Sequence, residues 1–351
     1  MRERSEGPRA AGFHADLRRR LVVGTSTAGL AVALFTGTGM AAPQPAPAAV
    51  PAPAQSTTVR LSVPASGQVT CDRGSGTCAG ARRASADPVG GAAAKAQALP
   101  SGYPFRELQM NLCNSGYAGC YENGQSVPEA AGVITSKAPD LVTLNEICKA
   151  DVSGSLLNAM TSAWPAGDWV FWTFRAAGDR STGGAYHCKN GDEYGNGILG
   201  HVPAADWSGV DVYGGAYPDS TAGSPTQDTT SKEERSWACT YAIGDFYGCT
   251  THLTSSNSTV AFNQCVSLMS SIVPGIRAQA GAHPSVVAGD LNLKYGGSPN
   301  VQNCVPSGWY RKGDGDVQHV TATNDLAFQS GQSIGMSHTD HDAWLVSFKT
   351  P

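Results

Sequence analysis

The apolar run "VVAGDLN" breaks at Gly289 into an acid, Asp290, and an amide two residues on, Asn292. Polar groups end other apolar runs in the same way: Asn111 in "QMNLC", Glu146 after "LVTLN" and Asn196 in "GNGILG". Arg235 in "EERSW", His252 in "THL", and Asp340 with His341 in "TDH" complete the set. Carboxylates and amides hold hard cations, and imidazoles move protons. Taken singly, each residue also has a structural explanation. Asp and Asn at a strand end hydrogen-bond their own backbone. Glu146 fits a helix N-terminal acid or an exposed strand end. Asn111 needs only partners if buried, and His252 and His341 fit half-buried structural positions. His338 and His341 lie three apart but lack the helix and the following glutamate of a metal-binding pair.

The elements that must position these residues are short and apolar. Strands are expected at 107–113, 140–147, 168–174, 196–202, 236–243, 246–253, 285–293 and 342–348. Gly244-Asp245 reads as a hairpin turn. Helices are expected at 126–137, 151–163 and 258–280, the last interrupted by Pro274. Several strands follow one another without a helix, which favours mixed sheets packed in layers with helices outside. No internal repeat stands out, so residues 103–351 read as one domain.

The N-terminus reads as a targeting segment. Arg18, Arg19 and Arg20 precede a small, apolar run, and residues 1–42 are assigned to a signal peptide, with Ala41-Ala42 or Ala52-Pro53-Ala54 as cleavage candidates. The paired arginines match a twin-arginine signal only loosely. The run's Gly, Ser and Thr make it a poor membrane anchor, so export to an extracellular location is the expectation. Residues 43–57 form a Pro/Ala tract, and 58–102 are taken as the rest of a linker and small-residue-rich extension. Without the leader the net charge falls from −4 to about −7. That excludes the broad basic footprint of a tight DNA binder, but not a nuclease whose local groove or metal offsets phosphate charge. Ten cysteines in an exported chain point to disulfides, with local pairing expected as 71–78, 113–120, 239–249, 148–188 and 265–304.

In order along the chain, "MNLC", "LVTLNEI", "YGNGILG", "THL", "GDLN" and "TDH" together resemble the endonuclease/exonuclease/phosphatase superfamily, over roughly 105–349. The resemblance implies a four-layer αββα sandwich of two mixed β-sheets flanked by helices, with the site where strand ends converge. It implies hydrolysis of a phosphoester by water, with Asn111, Glu146 and Asp340 holding Mg²⁺, or Mn²⁺ or Ca²⁺ in its place. Asp290 would orient or deprotonate the water, and Asn292 would hold it or a phosphate oxygen. His252 and His341 would bracket the phosphate as donors and as acid or base, and Asn196 and Arg235 would position substrate. One departure is Gln318, in "GDVQHVTAT", where the family carries an Asp paired with the terminal His; Asp316 could substitute through a register shift. On that reading Gln318→Asp should raise activity or shift its pH dependence. A smaller departure is Asn145, where the family often has Gln.

The expected function is that of a secreted, monomeric, metal-dependent phosphodiesterase with nucleic acid as substrate. The alternatives are a sphingomyelinase-like enzyme acting on phospholipid and a non-catalytic binding protein on the same fold.

Overall fold

The computed structural model describes residues 58–84 and 99–351; the segment expected to be a signal peptide and the Pro/Ala tract lie outside the described residues. Fifteen strands make up the two large sheets. In chain order they are β1 (Val59–Val63), β2 (Thr70–Asp72), β3 (Thr77–Arg83), β4 (Pro104–Asn111), β5 (Leu141–Cys148) and β6 (Trp169–Ala176). Next come β7 (Tyr194–Val202), β8 (Val210–Ala216), β9 (Ser236–Ala242), β10 (Phe246–His252) and β11 (Ser285–Asp290). The last four are β12 (Trp309–Gly313), β13 (Gln318–Thr323), β14 (Ala327–Ile334) and β15 (Ala343–Lys349). One sheet has the order β1-β8-β9-β10-β11-β13-β12, and the other β14-β15-β4-β5-β7-β6-β3-β2.

The layers follow from where each face is apolar. Phe105, Phe171 and Ile198 of one sheet meet Val212, Phe246 and Val286 of the other in a shared core. Helix α1 (Ser126–Lys137) and a second helix, α2 (149–163), cover the outer face of the second sheet through Ile134, Leu156 and Met160. Helix α3 (Ser258–Ala280) covers the outer face of the first through Ala261, Leu268 and Ile276. It is apolar and long enough to cross a membrane, but half of its most apolar stretch is buried in the protein. The four-layer αββα sandwich is thus the observed fold.

Helix boundaries follow from caps. In α1, Val127, Ala130 and Ile134 share the buried face, and Ala138 ends the helix in a left-handed conformation before Pro139. The Asn257 side chain accepts from the N–H groups of Thr259 and Val260 and starts α3. Pro274 does not interrupt α3 as expected. A π-helical turn, Leu268–Ile272, precedes it and absorbs the missing N–H and the ring's clash with the preceding turn.

The boundary at 103 moves. Residues 59–83 are not a loose extension: β1 pairs with β8 in one sheet and β3 with β6 in the other. Ala79 and Ala81 join the shared core, and Gly80 lets Trp172 lie across the strand, since a Cβ there would meet its Nε1 at 2.7 Å. A chain beginning at residue 99 should therefore lose cooperative unfolding, whereas one beginning at 58 should keep it; thermal melts of the two check this. The five disulfides are those expected by local pairing. Two of them, Cys71–Cys78 and Cys239–Cys249, join residues paired across neighbouring strands.

Each sheet contains one parallel pair, β4 with β5 and β10 with β11, and each pair is linked through a helix. The carboxyl ends of the two pairs carry Asn111, Glu146, His252 and Asp290.

Candidate active site

A polar cavity of about 700 Å³ opens where these strand ends meet, lined by Glu146, Arg235, His252, Asp290, Asn292 and His341 among others. Asn111 sits beneath it, and its Nδ2 donates to Glu146 Oε1 at 3.1 Å and to Asp290 Oδ2 at 3.0 Å. His252 Nε2 lies 3.8 Å from each of these oxygens, and His341 Nε2 lies 3.6 Å from Asp290 Oδ2. Two carboxylates and two imidazoles thus face one space.

Local backbone geometry aims these groups. The β5–β7 register shifts between Leu144 and Ile147, and Glu146 takes a left-handed φ of 53°. A bulge of this kind turns a side chain out of the ladder, at a cost in backbone strain that the rest of the strand must hold. Asn292, with φ 49°, has the same conformation; its N–H donates to Asp290 Oδ1 at 3.0 Å, and its Nδ2 to Leu253 O at 2.9 Å.

Asp290 is 2% exposed and is held from behind. Its N–H donates to Asn145 Oδ1 at 2.8 Å, the same oxygen that takes Gln109 Nε2. Asn145 Nδ2 donates to Asn196 Oδ1 at 2.8 Å, and Asn196 Nδ2 to Ser236 O and Oγ across the sheets. Asn196 is therefore not a substrate contact: its amide is spent inside this network, behind the cavity wall. Asn145 is a positioning residue that sequence reasoning noted only as a departure.

The electrostatics separate the two histidines. Arg235 Nη1 lies 2.6 Å from His252 Nδ1, and Glu233 Oε1 accepts from the same Arg235 nitrogen at 2.9 Å. An arginine only donates, so His252 Nδ1 must accept, and the ring's proton sits on Nε2, facing the cavity. Burial, with Arg235 and His341 adding to it, holds the His252 pKa well below the usual imidazole value. His252 is thus a neutral donor. Burial also raises the Glu146 carboxyl, against the hydrogen bond from Asn111 and the charge of Arg235.

Asp340 is exposed, with Oδ1 3.7 Å from His341 Nε2, and Thr339 Oγ1 donates to Asn111 O at 3.0 Å, tying this loop to β4. A metal ion is implied by the family resemblance, and the donor chemistry fits one. Four carboxylates, Glu146, Glu233, Asp290 and Asp340, line the cavity against the single charge of Arg235, so a phosphodiester entering it needs a further cation. Glu146, Asp290 and Asp340 offer oxygens suited to a hard divalent ion. Asn111 joins them only if its amide turns over, because its Oδ1 accepts from Cys113 N–H at 3.1 Å and its Nδ2 faces the carboxylates. Asp340 also lies near Cys113 and Cys120, but their sulfurs are joined in a disulfide and offer no thiolate.

Gln318 does not stand in for the missing acid. Its Oε1 accepts from Asn111 N–H at 3.2 Å, and its Nε2 donates to Asp342 O at 2.6 Å. Asp316 does not substitute either, since it pairs with Lys294 at the surface at 2.5 Å. The amide is fully used, which reverses the expectation for Gln318→Asp. The change should cost about 1–3 kcal/mol by stranding the Asn111 and Asp342 groups, without raising the rate; thermal unfolding and kcat check this. Sequence reasoning missed Glu233, Tyr186, Tyr194 and the 115–120 loop as lining residues. Glu233 and Tyr194 had a signal, since they stand inside the motifs "EERSW" and "YGNGILG".

No protein-family model and no curated protein matches the sequence. Solved structures do. An endonuclease/exonuclease/phosphatase from Beutenbergia cavernae is 16% identical with a TM-score of 0.48, over 70% of this chain and 72% of its own. One from Bacteroides vulgatus is 14% identical with a TM-score of 0.49, over 71% and 100%. ANGEL2, described as a 2',3'-cyclic phosphatase, is 13% identical with a TM-score of 0.48, over 71% and 96%. Two of the solved structures to which this chain is similar in fold are thus described as endonuclease/exonuclease/phosphatase proteins.

Proposed function

We propose that the protein is an exported, divalent-metal-dependent phosphodiester hydrolase acting on nucleic acid. The observation that carries the hydrolase reading is the convergence of buried Asp290 and Glu146 with His252 and His341 on one acidic cavity at the ends of two parallel strand pairs. Asp290, fixed by Asn145, Asn111 and Asn292, orients the attacking water and takes its proton. The water oxygen bonds to phosphorus as one P–O ester bond breaks. His252 donates from Nε2 to a phosphoryl oxygen, where negative charge builds, with Arg235 holding the ring. His341, at the rim beside Asp340 and Asp290, is placed to protonate the leaving oxygen. A cation on Glu146 and its neighbours would offset charge on the phosphoryl group. Export is supported by the leader and by five disulfides.

The test presents supercoiled plasmid, RNA and sphingomyelin in parallel, each with Mg²⁺ and with EDTA. Mg²⁺-dependent cleavage of either nucleic acid, abolished by EDTA, is the expected result. Cleavage of sphingomyelin alone would replace the substrate class, and cleavage that survives EDTA would remove the metal.

A further inference from the structure

The loop from Cys113 to Cys120, closed on itself by their disulfide, is a partition between two spaces. Ser115, Tyr117 and Gly119 line the main cavity. Asn114, Ser115, Gly116 and Tyr121 line a second cavity of about 150 Å³, which Asp151 and Lys189 also line. Ser115 is common to both. Cavities that take whole small ligands run to roughly 300–1,000 Å³, so a space this small suits part of a substrate anchored next door.

Its chemistry is specific. Asn114 is 6% exposed, and its Nδ2 donates to Asp151 Oδ2 at 2.8 Å. Its Oδ1 is buried with no hydrogen-bond partner among the described residues. A buried acceptor left unmade is costly, and an acceptor asks for a donor. Lys189 borders the same space: its N–H donates to Ser115 O at 2.8 Å and its side chain is exposed. Gly116, at φ +85°, allows this approach, because a Cβ there would meet Lys189 Cβ at 2.7 Å.

We infer that this second cavity is a subsite for the nucleotide unit next to the cleaved phosphodiester. Asn114 Oδ1 accepts from that unit's sugar hydroxyl or base amino group, while Lys189 meets its phosphate. The inference rests on the nucleic-acid reading of the main cavity. It makes Asn114 and Lys189 determinants of substrate preference, outside the chemistry itself.

The test compares wild type, Asn114→Ala and Lys189→Ala on oligonucleotides and on bis(p-nitrophenyl) phosphate, a diester too small to reach across the loop. Asn114→Ala should raise KM for oligonucleotides about tenfold more than for the small diester. Lys189→Ala, at an exposed position where folding is not at stake, should raise oligonucleotide KM and flatten its salt dependence. Deoxy and abasic arms separate the donors. An Asn114→Ala effect absent on DNA but kept on abasic RNA assigns the sugar hydroxyl, and the reverse assigns the base. Equal losses on both substrates for Asn114→Ala, with no change for Lys189→Ala, would overturn the subsite. Wild type cleaving the small diester but no nucleic acid would instead remove the nucleic-acid reading, and the subsite with it.

Discussion

Asp290→Asn should lower kcat by about 10²–10⁴-fold, the range that general acid–base groups supply. The substitution keeps the shape of the side chain but removes the base. It also sets a new –NH₂ against donors, because the two carboxylate oxygens now accept from Asn292 N–H and Asn111 Nδ2. One of these bonds must fail in the variant, so a loss of about 1–3 kcal/mol in stability accompanies the loss of rate. The backbone anchor from Asp290 N–H to Asn145 remains, so the strand end should hold its place. The check is kcat at saturating plasmid together with a melting temperature. Inactivity with a modest shift in Tm is the expected pair of results.

Glu146→Gln should leave a folded protein whose activity needs more than about 100-fold more Mg²⁺, since even groups that only support a ligand change metal affinity 10–100-fold. Glu146 sits in a bulge with left-handed backbone, and a glutamine can occupy the same conformation at the same cost. The amide cannot supply the negative charge that draws a cation into the site. Its removal also relieves the cost of burying a carboxylate that burial already pushes up, so stability should hold or rise. A Mg²⁺ titration of the initial rate, alongside thermal unfolding, reads both effects.

The strands that carry the site were legible because they are continuous apolar runs buried on both faces. β5 and β11 stand in "DLVTLNEI" and "SVVAGDLNL". Strands toward the margins of the sheet were not. β3, "TCAGARR", is built largely of small residues and shows no apolar periodicity; Trp172 of β6 lies across Gly80. β14 is exposed along nearly its whole length, so its sequence shows no buried face. Site residues were legible as types at strand ends, but their roles depend on contacts between distant segments. Asn196 was read as reaching substrate, yet it is spent on Asn145 and Ser236. Gln318 was read as a lost acid, yet its amide joins Asn111 of one sheet to Asp342 of the terminal loop. His252 was left open between acid, base and donor; only the position of Arg235 against Nδ1 makes it a donor.

The most direct measurement is a crystal soaked with Mn²⁺ and a phosphorothioate dinucleotide, with the ion located by its anomalous scattering. One manganese is expected within about 2.0–2.6 Å of a Glu146 carboxylate oxygen, with the thiophosphate held between His252 and His341. Manganese bound elsewhere, with the diester outside this cavity, would contradict it.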